Sequence, residues 1–422
     1  MITELREDDF PEIYERFVKL LNGKPWIKAT QNLEYQLRDN PFTRPQIERD
    51  NREAFGLAFF EKYGMRRPWD PAWSRVQEAM NFAAQICDMV ERSLDDRGAN
   101  AYLGRVVGAF KNARDMRALR LEHQAAVHFY SQGAVITWPD ECRGAETFDL
   151  LASGLTPVPI EVECKSCSRD KGHQITEKLS ADFWSEIRPQ IKGAVTPGEA
   201  LLIRIVVPKK LPTKTSAIKL LAREVMQAIS TGLCITAGGH QVFVHRSQPG
   251  FLTLNPVYDL QQRGLYFYAQ EIMGGMLGYR WFEVHGTSGI VVEVCSRQAN
   301  TPLDSIRETA KKAIRGQMTG NRPGCLILKI EDMSKAEFGR LLEGEFKALD
   351  AFAGDLFNDE QHQHLACLVF TSEESMENIG SEFGVSQSCI WVADRQVGKY
   401  ANLGIGRILL SPGPAVVDAT KS

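Results

Sequence analysis

No apolar run in the 422 residues reaches the roughly 18 to 20 that a membrane-spanning helix needs, so a helical membrane protein is not expected. The opening MITELREDDFPEIYERF is acidic and amphipathic where a secretory signal is basic and then apolar, which leads to the expectation of a cytoplasmic protein. Cysteine is sparse and irregular. Nine are scattered at 87, 142, 164, 167, 234, 295, 325, 367 and 389, several inside the apolar runs LCITA, VVEVCS, GCLILKI and HLACLVF, as small core residues in a reducing compartment. That pattern excludes a disulfide scaffold. Neither sign of charge is in excess, with 50 basic against 53 acidic side chains and a net charge of −3, so any nucleic-acid role has to rest on local basic patches. There is no low-complexity tract and no short repeat. What is present, 43% hydrophobic and 24% charged residues, is the composition of a globular chain of about two or three domains.

The hydrophobic period divides the chain. Apolar residues recur at helical spacing in FPEIYERFVKLL and WSRVQEAMNFAAQICDMVERSL, so residues 1–110 read as a helical region. A further helix ends at Ser131-Gln132-Gly133, a glycine stop signal. The period then changes to two. AVITW (134–138), ETFDLLA (146–152) and PIEVECKS (159–166) read as three strands, followed by a helix over 175–191, a strand over 200–207, a helix over 216–230 and a strand over 240–245. The order from residue 111 is αβββαβαβ, an α/β domain with a mixed sheet spanning 111–250. Residues 251–422 read as a second, accessory α/β domain, with runs at 264–270 and 289–296, a helix over 301–318, a strand over 325–330, a helix over 334–349 and apolar runs at 364–370 and 388–393. The strand-helix-strand layout of 289–330 loosely repeats that of 159–207, with Glu293 in the place of Glu163 and Cys295 in the place of Lys165. The tail, SPGPAVVDATKS, reads as frayed.

In PIEVECKS the strand period sets Ile160, Val162 and Cys164 on one face and Glu161, Glu163 and Lys165 on the other. With thirteen residues between it and Glu163, room for one hairpin, Asp149 sits in an apolar strand among Phe148, Leu150 and Leu151. Two carboxylates brought together on adjacent strands repel unless a cation lies between them, and a hard divalent ion with oxygen ligands, Mg²⁺ above all, is the natural occupant. Lys165 on the same face would then stand beside the attacking water and the phosphate it attacks. That set is suited to metal-assisted phosphodiester hydrolysis. A register shifted by two would bring in Glu161 or Glu146 instead.

Asp149 followed by Glu163-Cys164-Lys165 resembles the PD-(D/E)XK motif of the restriction-endonuclease-like nucleases. In that family a helix carrying a glutamate precedes the three strands, and here Glu122 lies in LRLEHQAAVHFY. The helix, three strands, helix and strand of the family fold match the reading from about 111 to 207, roughly a quarter of the chain; Phe148 stands where the motif has its proline. The resemblance implies a restriction-endonuclease-like core with an N-terminal helical region. It implies Asp149, Glu163 and Lys165 as catalytic residues, Asp149, Glu163 and Glu122 as ligands of Mg²⁺ or Mn²⁺, and DNA rather than RNA as substrate. It also implies a setting in bacterial restriction or phage defence, with room for a homo-oligomer or a partner protein. The rival expectation is a catalytically inactive scaffold of the same fold that binds nucleic acid or protein.

Basic residues near the site are candidate phosphate contacts. Arg114, Arg117 and Arg120, with Lys111, recur every three positions on the helix of Glu122, and Arg169 and Lys171 follow Lys165 in the connection SCSRDKGHQ. Lys209, Lys210 and Lys214 form another cluster after the strand 200–207. The C-x-x-C of Cys164 and Cys167 lacks two further zinc ligands, and the pairs His123/His128 and His362/His364 are poorly spaced for a metal. The glycines of LGIG (403–406) and AGG (237–239) lack the lysine of a phosphate-binding loop.

Overall fold

The computed structural model describes residues 5–65, 72–93, 96–139, 147–247, 258–333, 335–373, 375–379 and 383–411. Glu146, most of the loop around 246–263 and nearly all of the tail lie outside them. The fold is mixed α/β with two mixed sheets, and the chain divides into two compact units. Unit 1 comprises residues 1–34, 48–171 and 303–422; unit 2 comprises 35–47 and 172–302.

The N-terminal region is helical as read: α1 (Phe10–Leu20), α2 (Pro25–Asp39), α3 (Arg44–Asp50), α4 (Arg52–Tyr63), α5 (Trp73–Ser93), α6 (Asp96–Ala109) and α7 (Ala113–Ser131). In α5 every residue from Phe82 to Val90 is buried, so this stretch of the helix is enclosed on all sides and not on one face alone. Asn112 caps α7 by accepting from the Arg114 amide at 3.1 Å, and Gly133 ends the turn after it with φ +93°, a conformation that strains any residue with a Cβ.

Unit 1 then begins a sheet with β1 (Val135–Thr137), β2 (Leu150–Ser153) and β3 (Ile160–Cys167). Unit 2 contains α8 (Glu177–Lys192), β4 (Ala200–Val207), α9 (Thr215–Thr231), β5 (Gln241–Arg246), α10 (Tyr258–Met273), β6 (Tyr279–His285) and β7 (Ser288–Ser296). The chain re-enters unit 1 with α11 (Pro302–Gly316), β8 (Gly324–Ile330), α12 (Lys335–Asn358), β9 (Leu365–Thr371), a hairpin of β10 (Ser375–Ile379) and β11 (Phe383–Gln387), β12 (Ile390–Asp394) and α13 (Ile405–Leu410). The completed six-stranded sheet has the order β1-β2-β3-β8-β9-β12, so β8, β9 and β12 join it while β10 and β11 pair only with each other. Strands β3, β8 and β9 run parallel, and β1, β2 and β12 are antiparallel to their neighbours.

Both faces of that sheet are covered. On β8, Cys325 and Ile327 join the core of the N-terminal helices with Trp26, Met80, Leu119 and Phe129, while Leu326, Leu328 and Ile330 pack with Ile306, Ala310 and Phe352 of α11 and α12. Apart from Lys329, which is buried and paired with Glu373, β8 therefore reads as a continuous apolar run and not as an alternation. Unit 2 has its own sheet, β5-β4-β7-β6, with β4 and β7 parallel at its centre. Leu201, Ile203 and Ile205 face α8 and α9, and Ala200 and Leu202 face Leu265 and Ala269 of α10.

The division differs from the expected 1–110, 111–250 and 251–422. The helix and strand expected to complete the meander, α8 and β4, belong to unit 2, and β3 takes β8 as its parallel neighbour, Glu163 opposite Leu326 and Lys165 opposite Leu328. β4, β7 and β8 are similar, largely apolar runs and β3 carries an apolar face of its own, so hydrophobicity does not say which two of them lie side by side. The apparent repeat of 159–207 in 289–330 is accounted for in the same way, because each stretch begins in one unit and ends in the other and the two sheets differ in strand order. The run 264–270 is part of helix α10, while β6, between it and β7, has no counterpart in the sequence reading.

The inserted segment leaves and returns at one place. Thr301 N–H donates to the Gly172 carbonyl at 2.9 Å, and Gly172 has φ +76° with no room for a Cβ, which would lie 2.4 Å from the Thr301 carbonyl oxygen.

Candidate active site

The candidate site lies on β3 and is built by register. Leu150 pairs with Val162 and Ala152 with Ile160, so the antiparallel ladder, extended by one residue, sets Asp149 directly across from Glu163. Directly opposed residues hold their Cβ atoms about 4.5 to 5.5 Å apart. Asp149 also takes over a ladder position: its Oδ2 accepts the Cys164 amide at 2.7 Å. Ile160, Val162 and Cys164 enter the helical core, which turns Glu161, Glu163 and Lys165 to the other face as the strand period requires.

Glu163 is fully buried, its ion pair is with Lys165, and neither carboxylate oxygen has a well-formed hydrogen bond among the described residues. Burial pushes its carboxyl up to about 7, the Lys165 ammonium opposing and the Glu122 charge adding to the shift. Asp149 is held well above the ordinary carboxylate range, first by burial and then by the charges of Glu122 and Glu163. Burial alone would lower the Lys165 ammonium, but the facing Glu163 and Asp149 carboxylates outweigh it and hold the group above its usual value. Burial and neighbouring negative charge thus raise both carboxyls, and facing them raises the Lys165 ammonium.

Glu122 reaches the cluster from α7. It is buried, and Arg105 of α6 clasps both of its oxygens, at 2.6 and 3.0 Å. Arg105 escaped the sequence reading because it lies on a different helix at no informative spacing from Glu122. Glu161, the competing ligand, is fully committed elsewhere: it accepts from the Thr319 amide at 2.8 Å and from the Thr319 hydroxyl, and pairs with Arg322 at 3.5 Å. The choice between Glu161 and Glu163 on β3 is thereby made by what surrounds each.

The basic stripe on α7 is not a stripe of free cations. Arg114 is exposed, but Arg117 pairs with Asp50 at 2.9 Å, and Arg120 is buried between Glu53 at 2.9 Å and Glu331 at 2.7 Å. Arg120 is therefore corrected from a phosphate contact to a structural ion: three-residue spacing on a helix does not distinguish a solvated face from one packed under another element. Arg169 is exposed in the turn after β3, and the Lys171 ammonium donates to the Thr309 hydroxyl. Cys164 and Cys167 project to opposite faces of β3 into different cores, His123 hydrogen-bonds Tyr102, and His128 bonds the Leu409 carbonyl at 3.0 Å. Glu293 is buried between Arg280 at 3.0 Å and Arg204 at 2.8 Å.

Glu163, fully buried and paired with Lys165, and the partly buried Asp149 across from it suit a hard divalent cation in charge and in donor chemistry. Asp149 and Glu163 are the residues that would hold it. As placed, Glu122 is occupied by Arg105, and among the described residues no group of three or more His, Cys, Asp or Glu side chains is gathered as a ready shell. Comparison with family models, curated proteins and solved structures found no match.

Proposed function

We propose that the chain is a divalent-metal-dependent nuclease that hydrolyses phosphodiester bonds, with DNA as the substrate that the PD-(D/E)XK resemblance implies. The observation that carries this reading is the register that sets Asp149 opposite Glu163 with Lys165 on the same face, both carboxyls raised by burial and by neighbouring negative charge. The order of elements supports it too. Helix α7 precedes β1-β2-β3, and after the insertion come α11 and β8, which would stand for the helix and parallel strand of a restriction-endonuclease-like core.

Asp149 and Glu163 would hold Mg²⁺ or Mn²⁺, which when bound supplies charge neutralisation at the phosphate and promotes loss of a proton from water. The chain does the rest. Lys165, paired here with Glu163, would orient the attacking water and balance charge building on the phosphate. Glu122 would join only by giving up part of its Arg105 clasp. Plasmid and single-stranded DNA incubated with Mg²⁺ or Mn²⁺ test the reading, with Asp149→Ala and Lys165→Ala each expected to lose about 100-fold or more in cleavage rate. Cleavage unchanged in both variants would discard the site. The restriction or phage-defence setting rests on the resemblance alone, and the same variants test it through phage plating efficiency.

The second reading, a catalytically inactive scaffold, is favoured by the Lys165–Glu163 ion pair and the Arg105 clasp on Glu122, which leave both groups satisfied without a metal. Wild-type protein that binds DNA without cutting it under several metals would establish that reading.

A further inference from the structure

The charge of this chain is segregated between its units. Unit 2 carries 15 Lys and Arg against 10 Asp and Glu, whereas the remaining residues carry 35 against 43, so the near-zero total conceals a basic insertion in an acidic body. The excess is concentrated further, because residues 200–246 hold seven Lys and Arg and a single acid, Glu224.

Two of the seven are committed internally, Arg204 to Glu293 and Arg246 to Glu199. The other five, Lys209, Lys210, Lys214, Lys219 and Arg223, are exposed, and none makes an ion pair among the described residues. They are contiguous, running from the end of β4 through the connection into the first turns of α9, where Ser216, Lys219, Leu220 and Arg223 share the exposed face. The lone acid is turned aside, its Oε2 accepting the Gly238 amide at 3.0 Å. Arg297 extends the patch: it is exposed, and its amide donates to the Val207 carbonyl at 2.9 Å, which anchors it beside the start of the lysine run.

This placement works against stability. Like charges crowd at the positive end of the α9 dipole, where acids are ordinarily preferred, and the first turn of α9 contains none. An anionic partner relieves both costs. A partner with regularly spaced, solvated negative charge fits a lysine-rich, open surface better than a single small anion, which would need a closed cradle.

We infer that the β4–α9 surface of unit 2 binds the phosphate backbone of nucleic acid, so that the insertion supplies the affinity that the acidic remainder of the chain lacks. The inference rests on the nuclease reading for its choice of polyanion, and binding is measured apart from cleavage so that the two fail separately. The test uses the full chain in EDTA with a fluorescein-labelled DNA duplex, titrated by anisotropy at several salt concentrations. The variant K209E/K210E/K214E is expected to bind at least about tenfold more weakly and to flatten the salt dependence by about 0.9 in log–log slope for each phosphate it no longer neutralises. K209Q/K210Q/K214Q should show a smaller effect in the same direction, and circular dichroism should show both variants folded, since all three side chains are exposed. Unchanged affinity and slope in both lysine variants would overturn the inference. So would wild-type protein that binds vesicles rich in phosphatidylserine through these lysines and leaves the duplex unbound.

Discussion

At Glu163 a carboxyl is held up to about 7, against an ordinary value of 4.5, chiefly because it is buried. The folded chain therefore carries more protons than the unfolded one between those two values, and a raised carboxyl favours folding at low pH and loses that contribution as pH rises through the window. Glu163→Gln, a neutral isostere of the protonated form, is expected to be about 2 to 3 kcal/mol more stable than the wild type near pH 8 and equal to it at about pH 4. Urea melts across that range check the sign, and equal stabilities at pH 8 would mean that Glu163 is solvated. The same uncompensated charge is what a divalent cation would neutralise. Asp149, Glu163 and Lys165 were legible in the sequence because a strand has a period of two and one hairpin fixes which residue faces which. Arg105, Thr319 and Arg322 were not, since their roles depend on helices and turns that reach β3 from remote parts of the chain.

Helix α7 shows how an element is held by ions that its own sequence misrepresents. Arg120 joins α7 to α4 through Glu53 and to the segment after β8 through Glu331, which in turn accepts the Ser166 hydroxyl at 2.5 Å. Removing one member of such a set leaves buried charge unpaired, so Arg120→Ala is expected to cost about 3 to 5 kcal/mol, while Arg114→Ala on the exposed face changes stability by no more than about 0.5 kcal/mol. Denaturant midpoints for the two variants check the contrast. Most helices and strands were legible to within a few residues, because amphipathic period and glycine stops are local. Helix α10 was not: GLYFYAQ exposes Tyr266 and Phe267 and buries Leu265 and Ala269, and over seven residues that pattern does not separate a helix from a strand.

Among the described residues each unit holds hydrophobic cores of its own. Leu326 lies in a core of unit 1 and Ile203 in one of unit 2, both fully buried. Leu326→Ala and Ile203→Ala should each cost about 2 to 5 kcal/mol, and in calorimetry they should lower different transitions of the wild-type trace. A single transition lowered alike by both would show one cooperative body. The sequence by itself determined the mixed α/β class, the helical beginning, most of the strands and the facing of Asp149, Glu163 and Lys165, all of which follow from local periodicity and one short hairpin. Only the tertiary structure decided that β3 lies beside β8, that residues 172–302 form a unit of their own, and that Arg120 is a buried structural ion. Those outcomes turn on which of several equivalent apolar strands meet across more than a hundred residues, a choice set by packing over the whole sheet and not by any segment of it.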